Sequence, residues 1–463
     1  MRIWLFVLAL LSTCARAGDL RVGRAEVDIT PPPGMPMGGY FYVRVNTGVH
    51  DPLYAKALVL DSDGVKVALV ACDLESLPRR FVEAAQELIR RDTGIAPDHV
   101  IISATHTHTG PEMDHVMLAE IEGPPAQVAE GYDSALPGKI AESIRRAVSD
   151  LTPVRASAAE GMEPSLVFNR RFFMKNGSVV FNPGKLNPDI VRPAGPTDPS
   201  VPVVYFESFQ GQPLATYVNY ALHLDTIGGT QYSADYPYFL GKGLSEVKGS
   251  AMLTLFTIGT AGNINHLDVN NPDPQTSVSE SGRIGTILAA EVLKAYKHLR
   301  PIASGPLRVN HEIVELQVQD LKAGEVEAAR ETVAWVRKPP GAGGPEFLPM
   351  VHAFKVLHVA DYQRKAIAVS VQVISLGNDV AWVGLPGEIF VELGMAIKQA
   401  SPFPYTIVSE LAGDSIDYVP DRKGFAEEAY ETTTARCKPG SGEALVDVAT
   451  RLLLKAYRFG NAD

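Results

Sequence analysis

The sequence lacks several features that would settle its class at once. It has three cysteines in 463 residues and no C-x-x-C pair, so neither a disulfide scaffold nor a cysteine-rich metal cluster is available. Past the N-terminus, no apolar run reaches the roughly 18 residues that a membrane-spanning helix needs. Basic residues are in the minority: 42 Lys and Arg against 53 Asp and Glu give a net charge of −11 at pH 7. An acidic chain without a basic block is a poor partner for a phosphate backbone, which excludes nucleic-acid binding. The G-x-S-x-G elbow, H-E-x-x-H and the P-loop are missing. His311-Glu312 runs on into Ile313-Val314-Glu315 without a second histidine. No internal repeat is present, and 46% hydrophobic with 21% charged residues is an ordinary globular balance that excludes a disordered chain.

The N-terminus reads as an export signal over residues 1–17. Arg2 precedes the apolar stretch Ile3 to Leu11, and Ala15-Arg16-Ala17 is an A-x-A cleavage site. Leu11-Ser12-Thr13-Cys14 loosely resembles a bacterial lipoprotein box, but Thr before the Cys is unusual there. Cleavage after Ala17 is therefore the expectation, leaving an exported protein, periplasmic or secreted, with at most peripheral membrane contact. Cys72 and Cys437 remain. They could pair in an oxidising compartment, although Cys72 ends an apolar strand, where a buried free thiol is the plainer reading.

Residues 18–463 alternate strand and helix patterns, which favours an α/β fold: mixed sheets in layers with flanking helices, in one large catalytic domain. Leu20–Thr30 alternates like a strand and stops at three prolines. Two apolar runs around Asp61-Ser62-Asp63-Gly64 predict a hairpin. Phe81, Ala84, Ala85, Leu88 and Ile89 share one helical face. Pro137 is expected at the first position of a helix, where its missing N–H costs nothing. Gly34–Gly48 reads as a loop able to line a cleft, while Phe172–Pro202 and Lys338–Pro349 read as insertions or long loops.

Four regions carry chemistry. Ser103-Ala104-Thr105-His106-Thr107-His108-Thr109-Gly110-Pro111 follows a buried strand directly. Alternate positions of an extended segment point the same way, so His106 and His108 face one side, and two imidazoles at a strand end suit a zinc site. His223, in Asn219-Tyr220-Ala221-Leu222-His223, also ends an apolar strand. Glu388 follows the turn Leu385-Pro386-Gly387 and is expected to open a helix, where capping alone would account for it. Gly413 to Glu431 is turn-rich, with Asp414, Asp417, Tyr418 and Tyr430.

Taken together, these blocks resemble the N-terminal catalytic domain of the neutral/alkaline non-lysosomal ceramidases. The resemblance runs in order through Val27-Asp28-Ile29-Thr30-Pro31, Met37-Gly38-Gly39-Tyr40, Ala71-Cys72-Asp73-Leu74, the His106 to Pro111 block, Phe168-Asn169-Arg170, Asn219 to His223, Leu385 to Glu388, and Tyr418 with Tyr430-Glu431. It implies a zinc ion held by His106, His223, Glu388 and Tyr418, with His108, Arg170 and Tyr430 acting on the substrate. It also implies attack of zinc-activated water on the amide carbonyl of an N-acyl lipid or smaller N-acyl compound. Two departures weaken ceramide itself as substrate. Gly262-Asn263-Ile264-Asn265 places Asn265 where the family has a serine required for ceramide hydrolysis, and the sequence ends soon after Ala456, before the family's immunoglobulin-like domain. Asn265 is expected beside the metal, in contact with substrate. The alternative is a catalytically inactive relative that binds a lipid or other ligand.

Overall fold

The computed structural model describes residues 20–338, 344–362 and 366–458. The expected signal over 1–17 with Cys14, and part of the Gly-Pro run at 339–343, lie outside the described residues. Eight long strands form most of a nine-stranded sheet: β1 (Arg21–Asp28), β2 (Tyr54–Ser62), β3 (Val65–Cys72), β4 (Val100–Ala104), β5 (Thr152–Met162), β6 (Ser200–Ser208), β7 (Pro213–Tyr220) and β8 (Leu253–Ile258). Their order is β8-β7-β6-β5-β1-β2-β3-β4, with the short strand Arg300–Pro301 added to β5. The pairs β3–β4 and β7–β8 are parallel, and the other neighbours in this order run antiparallel. The expected hairpin is there, with Ser62 opposite Val65 across the two-residue turn Asp63-Gly64.

A second, four-stranded sheet follows: β9 (Leu307–Gln317), β10 (Ala366–Leu376), β11 (Val380–Gly384) and β12 (Tyr405–Ser409), in that order, with β11–β12 parallel. The two sheets pack face to face. Val67 and Leu69 of β3, Phe206 of β6 and Tyr217 of β7 share a buried cluster with Ile374, Trp382 and Ile407 of the second sheet. The opposite faces carry helices. Helices α1 (Arg79–Thr93) and α2 (Pro124–Ser149) cover the β1–β4 half, and α3 (Tyr236–Lys248) and α4 (Val278–Ala295) cover the β5–β8 half. Helix α5 (Phe347–Asp361) packs with Glu325–Val333, while α6 (Val391–Ala400) and α7 (Ser441–Arg458) cover the second sheet. Most strands are thus buried on both faces, which is why they read as nearly continuous apolar runs. A polar seam crosses between the sheets: Asn219 Nδ2 donates to Thr257 O (3.1 Å) and Val408 O (3.3 Å), and Tyr217 Oη lies 3.1 Å from Ser409 Oγ.

Several local expectations change. Pro137 lies inside α2, not at its start; the helix begins at Pro124. Its lost hydrogen bond is outweighed by burial of Tyr132, Leu136, Ile140 and Ile144 against β1–β4. Phe172–Pro202 is not one loop but holds a three-stranded sheet of Arg171–Met174, Val179–Phe181 and Ile190–Pro193. Cys72 and Cys437 are buried free thiols. Among the described residues no helix is long and apolar enough to cross a membrane.

Candidate metal centre and cavity

Four strand ends deliver the expected ligands to one place. His106 follows β4, and its backbone N–H donates to Leu74 O at 2.8 Å. His223 follows β7, and the two histidine segments are stitched together by the His108 N–H, which donates to Leu224 O at 2.9 Å. Glu388 comes after β11 and Tyr418 after β12. Glu388 does not open a helix: Glu388–Ile389 pairs in parallel with Tyr418–Val419, and α6 begins three residues later, at Val391. The register places Glu388 opposite Tyr418.

The two histidines of the H-T-H block converge, though not by strand alternation. His106 adopts a left-handed φ of 74°, so the segment turns. His106 Nε2 lies 3.0 Å from His223 Nε2 and 3.2 Å from His108 Nε2. Glu388 Oε2 is 3.3 Å from His106 Nε2 and 3.4 Å from His223 Nε2, is buried, and has no hydrogen-bond partner. The far nitrogens are fixed: His106 Nδ1 lies 2.7 Å from Glu75 O, and His223 Nδ1 lies 3.1 Å from Ala261 O. A carbonyl can only accept, so each Nδ1 carries a proton and each Nε2 is the nitrogen that faces the cluster. Two such nitrogens and a carboxylate oxygen facing one another in a buried place suit a shared cation, and the Nδ1–H···O=C contacts are the usual support of metal-bound imidazoles. The donor set therefore fits a zinc ion.

A proton and a metal ion would compete for these atoms. Burial opposes charge on His106, but Glu388 and Glu75 outweigh it and raise its pKa to about 10, so an ion would bind there by displacing the Nε2 proton. Glu388 is buried too, yet His106 lowers it to about 2. Burial and then the charge of His106 push His108 down to about 3, so it is a neutral imidazole at pH 7. Burial raises both Tyr418 and Tyr430, keeping them as phenols.

A cavity of about 440 Å³ opens over this centre, and Tyr40, His106, His108, Glu388, Tyr418 and Tyr430 line it. The Gly34–Gly48 loop does line the cleft. Arg44 fastens it, donating to Gly38 O and to His108 O (2.7 Å), and stacks at 4.0 Å over Tyr40. Gly39 has φ 86°, and a Cβ there would lie 2.8 Å from His108, so only glycine fits. Arg170 sits behind the cavity wall. Its Nη1 lies 3.3 Å from His223 Nε2, its Nη2 donates to Gly262 O (2.8 Å), and its Nε donates to Glu431 Oε1 (2.9 Å). Glu431 is fully buried between Arg170 and Arg171. Asn265 does not line the cavity. Its Nδ2 donates to Asn182 Oδ1 (3.0 Å), and its Oδ1 accepts from the Leu267 N–H (3.1 Å).

Some participants left no readable sequence signal. The Glu75 and Ala261 contacts use backbone carbonyls, which no side-chain pattern betrays. Glu431 was visible only as the neighbour of Tyr430, and helix α5, which roofs the cavity with Val351 and Phe354, is apolar on most sides and shows no single stripe.

No protein-family model matches the chain, and no curated protein sequence matches it. Solved structures do match. The chain superposes on a neutral ceramidase from Pseudomonas aeruginosa with a TM-score of 0.73 at 19% sequence identity, over 96% of this chain and 75% of that one. A ceramidase complexed with C2 gives a TM-score of 0.72 at 18% identity, over 96% of this chain and 76% of that one. In its layered α/β architecture, this chain has the fold of the neutral ceramidases.

Proposed function

We propose that the protein is a zinc-dependent hydrolase that cleaves the amide bond of an N-acyl compound in the manner of a ceramidase. The observation that carries this reading is the convergence of His106 Nε2, His223 Nε2 and Glu388 Oε2 within 3.0–3.4 Å of one another beneath a cavity in a ceramidase fold. His106, His223, Glu388 and Tyr418 would hold the metal. When bound, zinc supplies a Lewis acid and lowers the pKa of water toward ~7.

The remaining steps belong to side chains. His108, neutral and on the cavity wall, takes the proton released as water attacks the carbonyl and returns it to the departing amine. Tyr430 keeps its phenolic proton and donates to the carbonyl oxygen as negative charge builds there. Arg170, anchored by Glu431, orients the metal-side phenols. Its guanidinium carbon lies 5.2 Å from the Tyr418 ring centroid and 5.8 Å from that of Tyr430. Asn265, bonded to Asn182 and to the Leu267 N–H away from the cavity lining, gives no reason to rank ceramide below shorter N-acyl amides.

Purified protein assayed on ceramide and on short N-acyl amides, together with metal analysis, tests the reading. Hydrolysis of at least one amide is expected, as is loss of one zinc equivalent in His106→Ala and in Glu388→Ala. Full zinc content in both variants would sink the ligand assignment, and zinc-loaded protein without amidase activity would leave a binding protein. Export rests on residues 1–17 alone; sequencing of the exported protein should start at Gly18.

A further inference from the structure

The same cavity holds a second set of nitrogen and oxygen donors that the proposed hydrolysis does not use. Asp114 stands just past the His106 to Pro111 block and caps the short helix His115–Ala119, its Oδ1 accepting from the Val116 N–H at 2.7 Å. His358 reaches it from α5, with Nε2 2.9 Å from Asp114 Oδ1. The rings of His115 and His358 meet edge to face, 5.3 Å between centroids. One nitrogen of each imidazole and one oxygen of Asp114 lie within 4.8 Å of one another. Asp361, three residues beyond His358, contacts His115 Nε2. His358 is only 3% exposed, and its Nδ1 is buried with no hydrogen-bond partner. A buried polar atom left without a partner carries its desolvation cost uncompensated.

We infer that Asp114, His115 and His358 form a second metal site, for a divalent transition ion of the zinc class, with Asp361 as a further oxygen donor. Two imidazoles with carboxylates suit such ions, whereas calcium and magnesium take oxygen donors. His358 Nε2 and Asp114 Oδ1, 2.9 Å apart, are the atoms that would meet at the ion, with a nitrogen of His115 within 4.8 Å of both; the His358 Nδ1 faces away from Asp114 and would carry the ring proton. Arg436, the other cation near Asp114, is engaged by Asp417 at 3.4 Å. The side chains of His115 and Asp361 are about half exposed, which gives an ion a way in. An ion here would tie α5 to the segment that follows the H-T-H block. The inference does not depend on the hydrolase reading.

The full chain, stripped with chelator and titrated with zinc chloride, should take up two equivalents. His115→Ala and His358→Ala should each take up one, and so should His106→Ala. Cobalt(II) titration gives a spectral readout independent of activity, and one of its two absorbing phases should vanish in His115→Ala. Calcium or magnesium should not compete. Uptake that is unchanged in both His115→Ala and His358→Ala overturns the site, whether the total is one or two. Should His358→Ala fail to fold, His115→Ala, altered at the surface, decides alone. A single equivalent lost in His115→Ala but kept in His106→Ala would uphold this site and remove the proposed catalytic centre.

Discussion

His106 holds a backbone conformation that a β-rich segment rarely gives a non-glycine residue, with φ of 74°. Such conformations persist where surroundings over-determine them, as the Leu74 and Glu75 carbonyls do here. The side chains around it make separable predictions. Tyr430→Phe should keep zinc while kcat falls ~10² to 10³-fold with little change in KM, because the lost donor acts on charge that exists only in the transition state. Unchanged kcat removes Tyr430 from the chemistry. Asp73, two residues before Glu75, is a different case. Burial raises its carboxyl from 3.8 to about 6, against the pull of Lys56 and the Tyr54 N–H. The folded state therefore holds an extra proton between those values, so stability falls as pH rises through that window and the full cost is present above it. Asp73→Asn keeps an acceptor for Tyr54 and should stabilise the protein at pH 8 by about 3 kcal/mol, at ~1.4 kcal/mol per pKa unit, and hardly at all at pH 4. Urea denaturation at the two pH values checks this, and an equal gain at both would refute it.

At the scale of elements, the sequence was most legible where burial is two-sided. The apolar runs of β2, β3, β4, β7 and β11 stand out, and the site histidines follow two of them directly. It was least legible where tertiary contacts override local preference. Pro137 inside α2 is one case. Glu388 is another: a carboxylate before an apolar helix looks like a cap, yet it belongs to a two-residue strand whose partner lies thirty residues on, and nothing local announces that pairing. That small parallel pair hinges on Gly387, with φ 80° and a would-be Cβ only 2.5 Å from Asp417 O. Gly387→Ala should therefore push Glu388 away from Tyr418, costing more than ~1 kcal/mol of stability and weakening zinc affinity at the His106 centre. Zinc titration of the variant with unchanged affinity would show that the pair does not set the carboxylate.

For the whole molecule, the decisive fact is that two sheets share the centre. His106 and His223 hang from the nine-stranded sheet, and Glu388 and Tyr418 from the four-stranded one. Metal bound there would brace the interface that Trp382, Tyr217 and Phe206 fill. Chelation should lower Tm, since ligand at a hundred times its Kd contributes about 2.7 kcal/mol; an identical melting curve with and without chelator would contradict that brace. The same arrangement fixes an order of events. No segment carries more than one of the three ligands His106, His223 and Glu388, and the last strand pair is made by residues close to the C-terminal helix. Contacts so distant along the chain close late. A nascent or truncated chain would therefore have no place to hold an ion between His106, His223 and Glu388, and capture at that centre would become a clock for folding: the moment an ion is held there would mark the moment the two sheets have docked.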